Sequence, residues 1–250
     1  MNRNLKALGL ALVAVFAMTA VLASAAQAQT LKVTVNPSPA WLTAEMIAHP
    51  NIGKVETFKL AGGQEVGCDK TNSAATVNNG NTSITVVPNF EECVAVIGTE
   101  THKVTVTMND CDFLLHGGAT QTPNSTTFIN GEVDLVCPTG KEVEIHVYKP
   151  ATTETEELCT YKVAGFTNKQ GNEFKNEGTG ATNDVSISSS VGGIATTRTG
   201  SLLCGAANQN GTFTGSTTIK AFEDKGGSIS NGTVTGLEEG GKQTSVTISD

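Results

Sequence analysis

Three observations predict an all-β, antiparallel chain of roughly a dozen strands, sandwich-like and stapled by disulfides. Apolar residues recur with period two beyond residue 30, Asn-Gly dipeptides punctuate those runs, and all six cysteines lie downstream of an export-signal pattern. Leu31–Val35, Val104–Met108 and Val133–Val136 alternate, and Glu142–Tyr148 does so without a break. Such a run lays one face on a core and the other in water, and the Val and Thr enrichment suits a pleated surface.

From the beginning of the chain, Arg3 and Lys6 precede an uncharged apolar run, Ala7–Leu22, which ends at the small-x-small residues Ala26-Gln27-Ala28. That order predicts a cleaved, general-secretory signal peptide over residues 1–28 and a secreted β domain over 29–250. The apolar run falls short of the ~20 residues of a spanning helix, so no integral membrane segment is expected after cleavage. Neither a lipid-acceptor cysteine at the cut nor an LPxTG-like wall-sorting motif is present. The expected product is extracellular, free or held non-covalently at a cell surface.

Cleavage removes two cations, leaving 14 Lys and Arg against 24 Asp and Glu, a net charge of −10. That balance argues against nucleic acid and against anionic lipid, which both need clustered cations. A chain of this length buries a core of its own, so disulfides reinforce it rather than replace it.

One short helix is expected near residues 40–49, because Pro39–His49 places Trp41, Met46 and Ile47 near one face before Pro50. The four Asn-Gly pairs are Asn79-Gly80, Asn130-Gly131, Asn210-Gly211 and Asn231-Gly232. The flanking alternation predicts hairpins at Asn130-Gly131 and Asn231-Gly232. Four glycosylation sequons (Asn81, Asn124, Asn210, Asn231) are read as chance products of Thr- and Asn-rich turns.

The softest stretches are 117–125 and 151–157, yet a cut in the first leaves three cysteines on each side. Three cannot pair among themselves, so a single domain, or two tied lobes meeting near 117–125, is expected. Six cysteines allow 15 pairings, and hairpin register favours one set. Cys111 and Cys137 each lie 13 residues from Asn124, and Cys68 and Cys93 lie about equally far from the Asn78–Asn81 turn. The favoured set is Cys68–Cys93, Cys111–Cys137 and Cys159–Cys204.

No catalytic, cofactor-binding or metal residue is nominated. The cysteines lack zinc-knuckle spacing, and His49, His102, His116 and His146 show no HExxH pattern. Nucleophile elbow, P-loop and dinucleotide fingerprints are missing. Asn109, Asp110 and Asp112 offer oxygens to calcium, but without an EF-hand loop they read first as a turn. Glu91-Glu92, Glu154–Glu157 and Glu238-Glu239 read as solvated loops. Trp41, Tyr148 and Tyr161 are the Trp and Tyr side chains on which a sugar could stack.

Val104–Phe113 (VTVTMNDCDF), Val133–Gly140 (VDLVCPTG) and Gly211–Lys220 (GTFTGSTTIK) resemble a group of secreted Thr/Gly-rich, cysteine-containing β proteins of high-GC actinobacteria. The resemblance implies an exported bacterial β protein and carries over no functional residue. The expectation is therefore a secreted, non-catalytic β module, with a wall polymer, a carbohydrate or another protein as the partner classes left open. The alternative is a secreted hydrolase with a carboxylate site.

Overall fold

Period-two patterning shapes almost every segment of the computed structural model. It describes residues 31–36, 38–47, 56–60, 64–117, 128–150, 156–178, 183–205, 208–223, 228–230, 233–235 and 243–249. β1 (Lys32–Asn36) precedes β2 (Ala40–Ile47) and β3 (Glu56–Lys59), which lie end to end along β4 (Glu65–Val77). β5 (Ser83–Ile97) returns antiparallel to β4. β6 (Glu100–Thr107) and β7 (Asp112–Gly117) in turn lie end to end along β5. β8 (Ile129–Val136) pairs with β7, and β9 (Val143–Tyr148) pairs with β6. β10 (Glu157–Val163) pairs with β9, and β11 (Phe166–Glu177) with β8.

β12 (Asp184–Gly200) carries β10 and β11 on one edge and β13 (Asn208–Glu223) on the other. β13 then pairs with both β3 and β2, which closes the ring. Outside the ring lie a hairpin of β14 (Ser228–Ser230) and β15 (Thr233–Thr235), and β16 (Gln243–Ser249), which pairs with β1 and the end of β13. Four long strands and four end-to-end pairs give eight ring positions, all antiparallel and, except at the closing seam, consecutive in sequence. The all-β, antiparallel expectation holds, but hydrogen bonding runs round a closed sheet and not through two stacked ones. Alternation alone cannot separate those two, because each has one buried and one solvated face.

The long strands bend where their partners change. β5 passes from β7, last paired at Val86, to β6, first paired at Cys93, and Glu92 between them has φ 54°. β12 passes from β11 at Ser189 to β10 at Thr196 through the irregular stretch around Gly193 (φ 67°). These bulges increase local twist and let one strand serve two differently inclined partners.

The helix expected near residues 40–49 is instead strand β2, correcting the sequence reading. Ala40 and Leu42 belong to the main core, whereas Trp41 packs with Ala74 and Val234 in a second cluster beneath the β14–β15 hairpin. With both faces buried, the alternation that marks a strand is erased. The helical turn among the described residues is a single 3-10 turn, Leu202–Cys204.

Asn130-Gly131 also departs from expectation, since it lies inside β8 and not at a turn. The ring of Phe174 occupies the space of a side chain at Gly131: a Cβ there would collide with Phe174 Cε2. Asn79-Gly80 does turn, with Gly80 at φ 83° and Asn81 N–H donating to Asn78 O. Asn231-Gly232 lies outside the described residues, but Ser230 pairs with Thr233 across it. Residues 1–28, His49, most of 117–125 and 151–157, and Glu238-Glu239 likewise lie outside them.

Three disulfides join Cys68 to Cys93, Cys111 to Cys137 and Cys159 to Cys204. Cys68 stands opposite Cys93 in the β4–β5 ladder, and Cys111 and Cys137 lie just past its β7–β8 counterpart's end at Asp112 and Val136. Cys159 in β10 reaches Cys204 in the 3-10 turn that leaves β12. Among the described residues, no helix is long and apolar enough to cross a membrane.

Two outcomes follow for stability. Replacing Cys159 and Cys204 together by Ala lowers unfolding free energy in urea by about 2–4 kcal/mol. Gly131→Ala must displace the fully buried Phe174 ring and costs roughly 1–3 kcal/mol in the same measurement; a neutral effect would refute the close approach.

Candidate functional site

Inward-pointing residues leave a cavity of about 130 Å³ at the centre of the ring. Its wall is apolar. Five of the nine phenylalanines in the chain face it: Phe58, Phe90, Phe113, Phe166 and Phe213. Phe113 and Phe213 approach to 6.4 Å between ring centroids. An apolar cavity near 150 Å³ stays dry and holds a benzene-sized guest.

One lateral row of the wall is polar. Ladder register places Glu56 of β3 beside Gly215 of β13, Gly215 beside Ser189 of β12, Ser189 beside Asn172 of β11, and Asn172 beside Gly131 of β8. Residues in register share a face, so these side chains project together. Gly215 leaves room for Glu56, whose Cγ would lie 3.0 Å from a Cβ at that position.

Two hydrogen-bonded pairs occupy the row. Thr71 Oγ1 donates to Glu56 Oε2 at 3.1 Å, and Ser189 Oγ donates to Asn172 Oδ1 at 2.6 Å. Asn172 is 2% exposed, and its Nδ2 is buried with no hydrogen-bond partner. Burial raises the Glu56 carboxyl to about 7, against a smaller lowering by the Thr71 hydrogen bond. Glu56 is the one ionisable side chain lining the cavity among the described residues.

The residues nominated from sequence lie elsewhere. Asn109 and Asp110 make a tight turn at φ 52° and 62°, closed by Cys111 N–H donating to Met108 O at 2.9 Å. Asn109 Nδ2 donates to Glu142 O at 2.8 Å, and Asp112 has its pKa raised by burial and then by Asp110. No group of three or more His, Cys, Asp or Glu side chains is placed to hold a metal ion among the described residues. Trp41 and Tyr161 are buried, the latter donating its hydroxyl to Cys204 O and pushed up to about 12 by burial. Tyr148 is half-buried, with its hydroxyl 3.1 Å from Thr105 Oγ1.

His102 is buried, with Nδ1 2.8 Å from Tyr148 O. His116 contacts Asp134 at 3.3 Å, and His146 contacts Glu157 at 2.9 Å and Glu144 at 3.4 Å. Lys162 joins Glu144 at 2.7 Å. Such partly exposed pairs carry little stability and keep the outside of the wall solvated.

Sequence reasoning passed over Glu56, Asn172 and Ser189, although each leaves a signal. Each stands two residues before an inward apolar residue: Glu56 before Phe58, Asn172 before Phe174, Ser189 before Val191. A polar residue on the apolar phase of a strand marks a wall that is more than packing.

Fold and site together define an eight-position, up-and-down β-barrel with a partly open apolar cavity and one polar row in its wall. No protein-family model matches the chain, and no curated protein or solved structure matches it either.

The Glu56 carboxyl gives a pH signature. The folded state keeps a proton up to about pH 7 that the unfolded chain releases near 4.5. The stability this group contributes is therefore full below pH 4.5 and lost as pH rises to about 7. Relative to Glu56→Gln, the wild type loses at most about 3 kcal/mol over that interval. Urea titrations of both at several pH values measure it, and a pH-independent difference would refute the buried carboxyl.

Proposed function

We propose that this protein is an extracellular, non-catalytic binding module whose ligand is a small apolar molecule held inside the barrel. The observation that carries the reading is the cavity of about 130 Å³ walled by phenylalanines from five different strands. A well-packed core fills such space with its own side chains, because voids are destabilising. Three disulfides are compatible with an extracellular setting.

The polymer and carbohydrate readings find less support. The cavity wall is apolar and offers a sugar few polar partners, and two of the three Trp and Tyr side chains are buried in packing. The hydrolase reading needs paired carboxylates, whereas Glu56 is the single acid lining the cavity among the described residues. Ser189 has no lining histidine to activate it, and its hydroxyl is engaged by Asn172.

Thermal unfolding of purified residues 29–250 with benzene, toluene and cyclohexane tests the proposal. At 100 times Kd, a bound compound stabilises the fold by about 2.7 kcal/mol. Val191→Phe, which fills the cavity from β12, abolishes that shift. Absence of any shift, together with turnover of a glycosidic or ester substrate, would reverse the reading.

A further inference from the structure

Resting on that small-ligand reading, we infer that the ligand's apolar body carries one ammonium group, and that the Glu56 carboxylate receives it at the wall of the cavity. Glu56 lies on the inward phase of β3. It stands opposite Cys68 of β4 and two residues before Phe58, and both of those side chains also line the cavity. The Glu56 side chain is half-buried, not sealed. Its Oε2 accepts from Thr71 Oγ1 at 3.1 Å. Its Oε1 keeps accessible surface and has no hydrogen-bond partner among the described residues. An ionised carboxylate can accept about four hydrogen bonds, so one bond from Thr71 leaves it undersupplied.

Gly215 makes room for that oxygen. It stands beside Glu56 in the β3–β13 ladder, where a Cβ would crowd Glu56 Cγ at 3.0 Å and touch Oε1 at 3.5 Å. A group approaching Glu56 along the wall therefore meets no side chain from β13 at this level.

The sign of the ligand's charge follows from the surroundings. β4 presents Cys68 and Thr71 to Glu56, β13 presents Gly215 and Phe213, and no residue lining the cavity from any other strand is charged. Asp69 and Lys70 follow Cys68 along β4, and Lys70 is joined to Glu91 of β5 at 3.0 Å. The cavity wall thus holds no cation for Glu56, and an anionic ligand would be buried beside a like charge. Phenylalanine rings carry negative potential on their faces, so a wall that holds an apolar body also attracts a cation. An excess of 24 Asp and Glu over 16 Lys and Arg in the whole chain draws cations from a distance. Because the cavity is partly open, an ammonium can bind Glu56 without losing all of its water. About 130 Å³ of apolar space accommodates one ring beside it. The ligand class is a primary amine on a ring-sized apolar group.

The test compares benzylamine with ethylbenzene, which has nearly the same shape but a methyl group in place of the ammonium. Burial pushes the Glu56 carboxyl up to about 7, so below that pH the ammonium must displace a proton. Calorimetry on the wild type finds benzylamine binding about 10- to 100-fold more tightly at pH 8 than at pH 5.5, while ethylbenzene gains nothing over that interval. At pH 6, in buffers of different protonation enthalpy, about one proton is released for each benzylamine bound. At pH 8 the ratio of benzylamine to ethylbenzene affinity falls by about 10- to 100-fold in Glu56→Gln.

Benzylamine affinity that stays level or falls as pH rises, no proton release at pH 6, or an unchanged ratio in Glu56→Gln overturns the ammonium assignment. With ethylbenzene bound, each of those results leaves the small-ligand reading standing. Binding of neither probe at either pH overturns that reading as well. Proton release is measured on the wild type alone, so it decides the matter if Glu56→Gln fails to fold.

Discussion

Continuous backbone hydrogen bonding round a closed ring is the constraint on which the rest of this structure depends. Each strand of the ring has a paired neighbour on both sides, so little of the ring presents an open edge. Closure also gives the alternation its meaning, because every second residue then points into one shared interior. An eight-position ring is just wide enough for side chains to fill or for one small guest to share. The cavity follows from that width and from the choice of Phe, Val and Leu, which leave the centre incompletely filled.

Against this apolar background the polar row is costly, and the local geometry shows how the cost is contained. Thr71 compensates one oxygen of Glu56, while the proton held up to about pH 7 removes the charge. Ser189 compensates the oxygen of Asn172. What remains is one amide donor, on the order of 1–3 kcal/mol if nothing accepts from it. A sequence selected for stability alone would place Leu there, as a similar volume with no polar atom. Departures of this kind concentrate where a protein does something other than stay folded.

Much of the fold was legible because β-strands with one wet face advertise themselves. Glu142–Tyr148 and Val104–Met108 could hardly be read otherwise, and the hairpin turn at Asn79-Gly80 carries its own chemistry. Legibility failed where a second layer intervened. Trp41 lies beneath Val234, a partner almost 200 residues away, so β2 lost its polar face and looked helical. Gly131 was mistaken for a turn residue because the demand on it comes from Phe174 in another strand. The site was less legible still. Glu56 is far in sequence from Ser189 and Asn172, which pair directly, and only the ladders through Gly215 bring it into their row.

The three bridges also share a pattern in where they fall. They link β4 to β5, β7 to β8, and β10 to the turn beyond β12, each joining parts of the wall that are near neighbours in the chain. The seam where β13 meets β2 and β3 has no such bond; backbone ladders and side-chain packing alone hold it. In mechanical terms the covalent skeleton is a strip whose two margins touch, not a hoop. The barrel can part along that one line with every disulfide intact, and Glu56 stands on it.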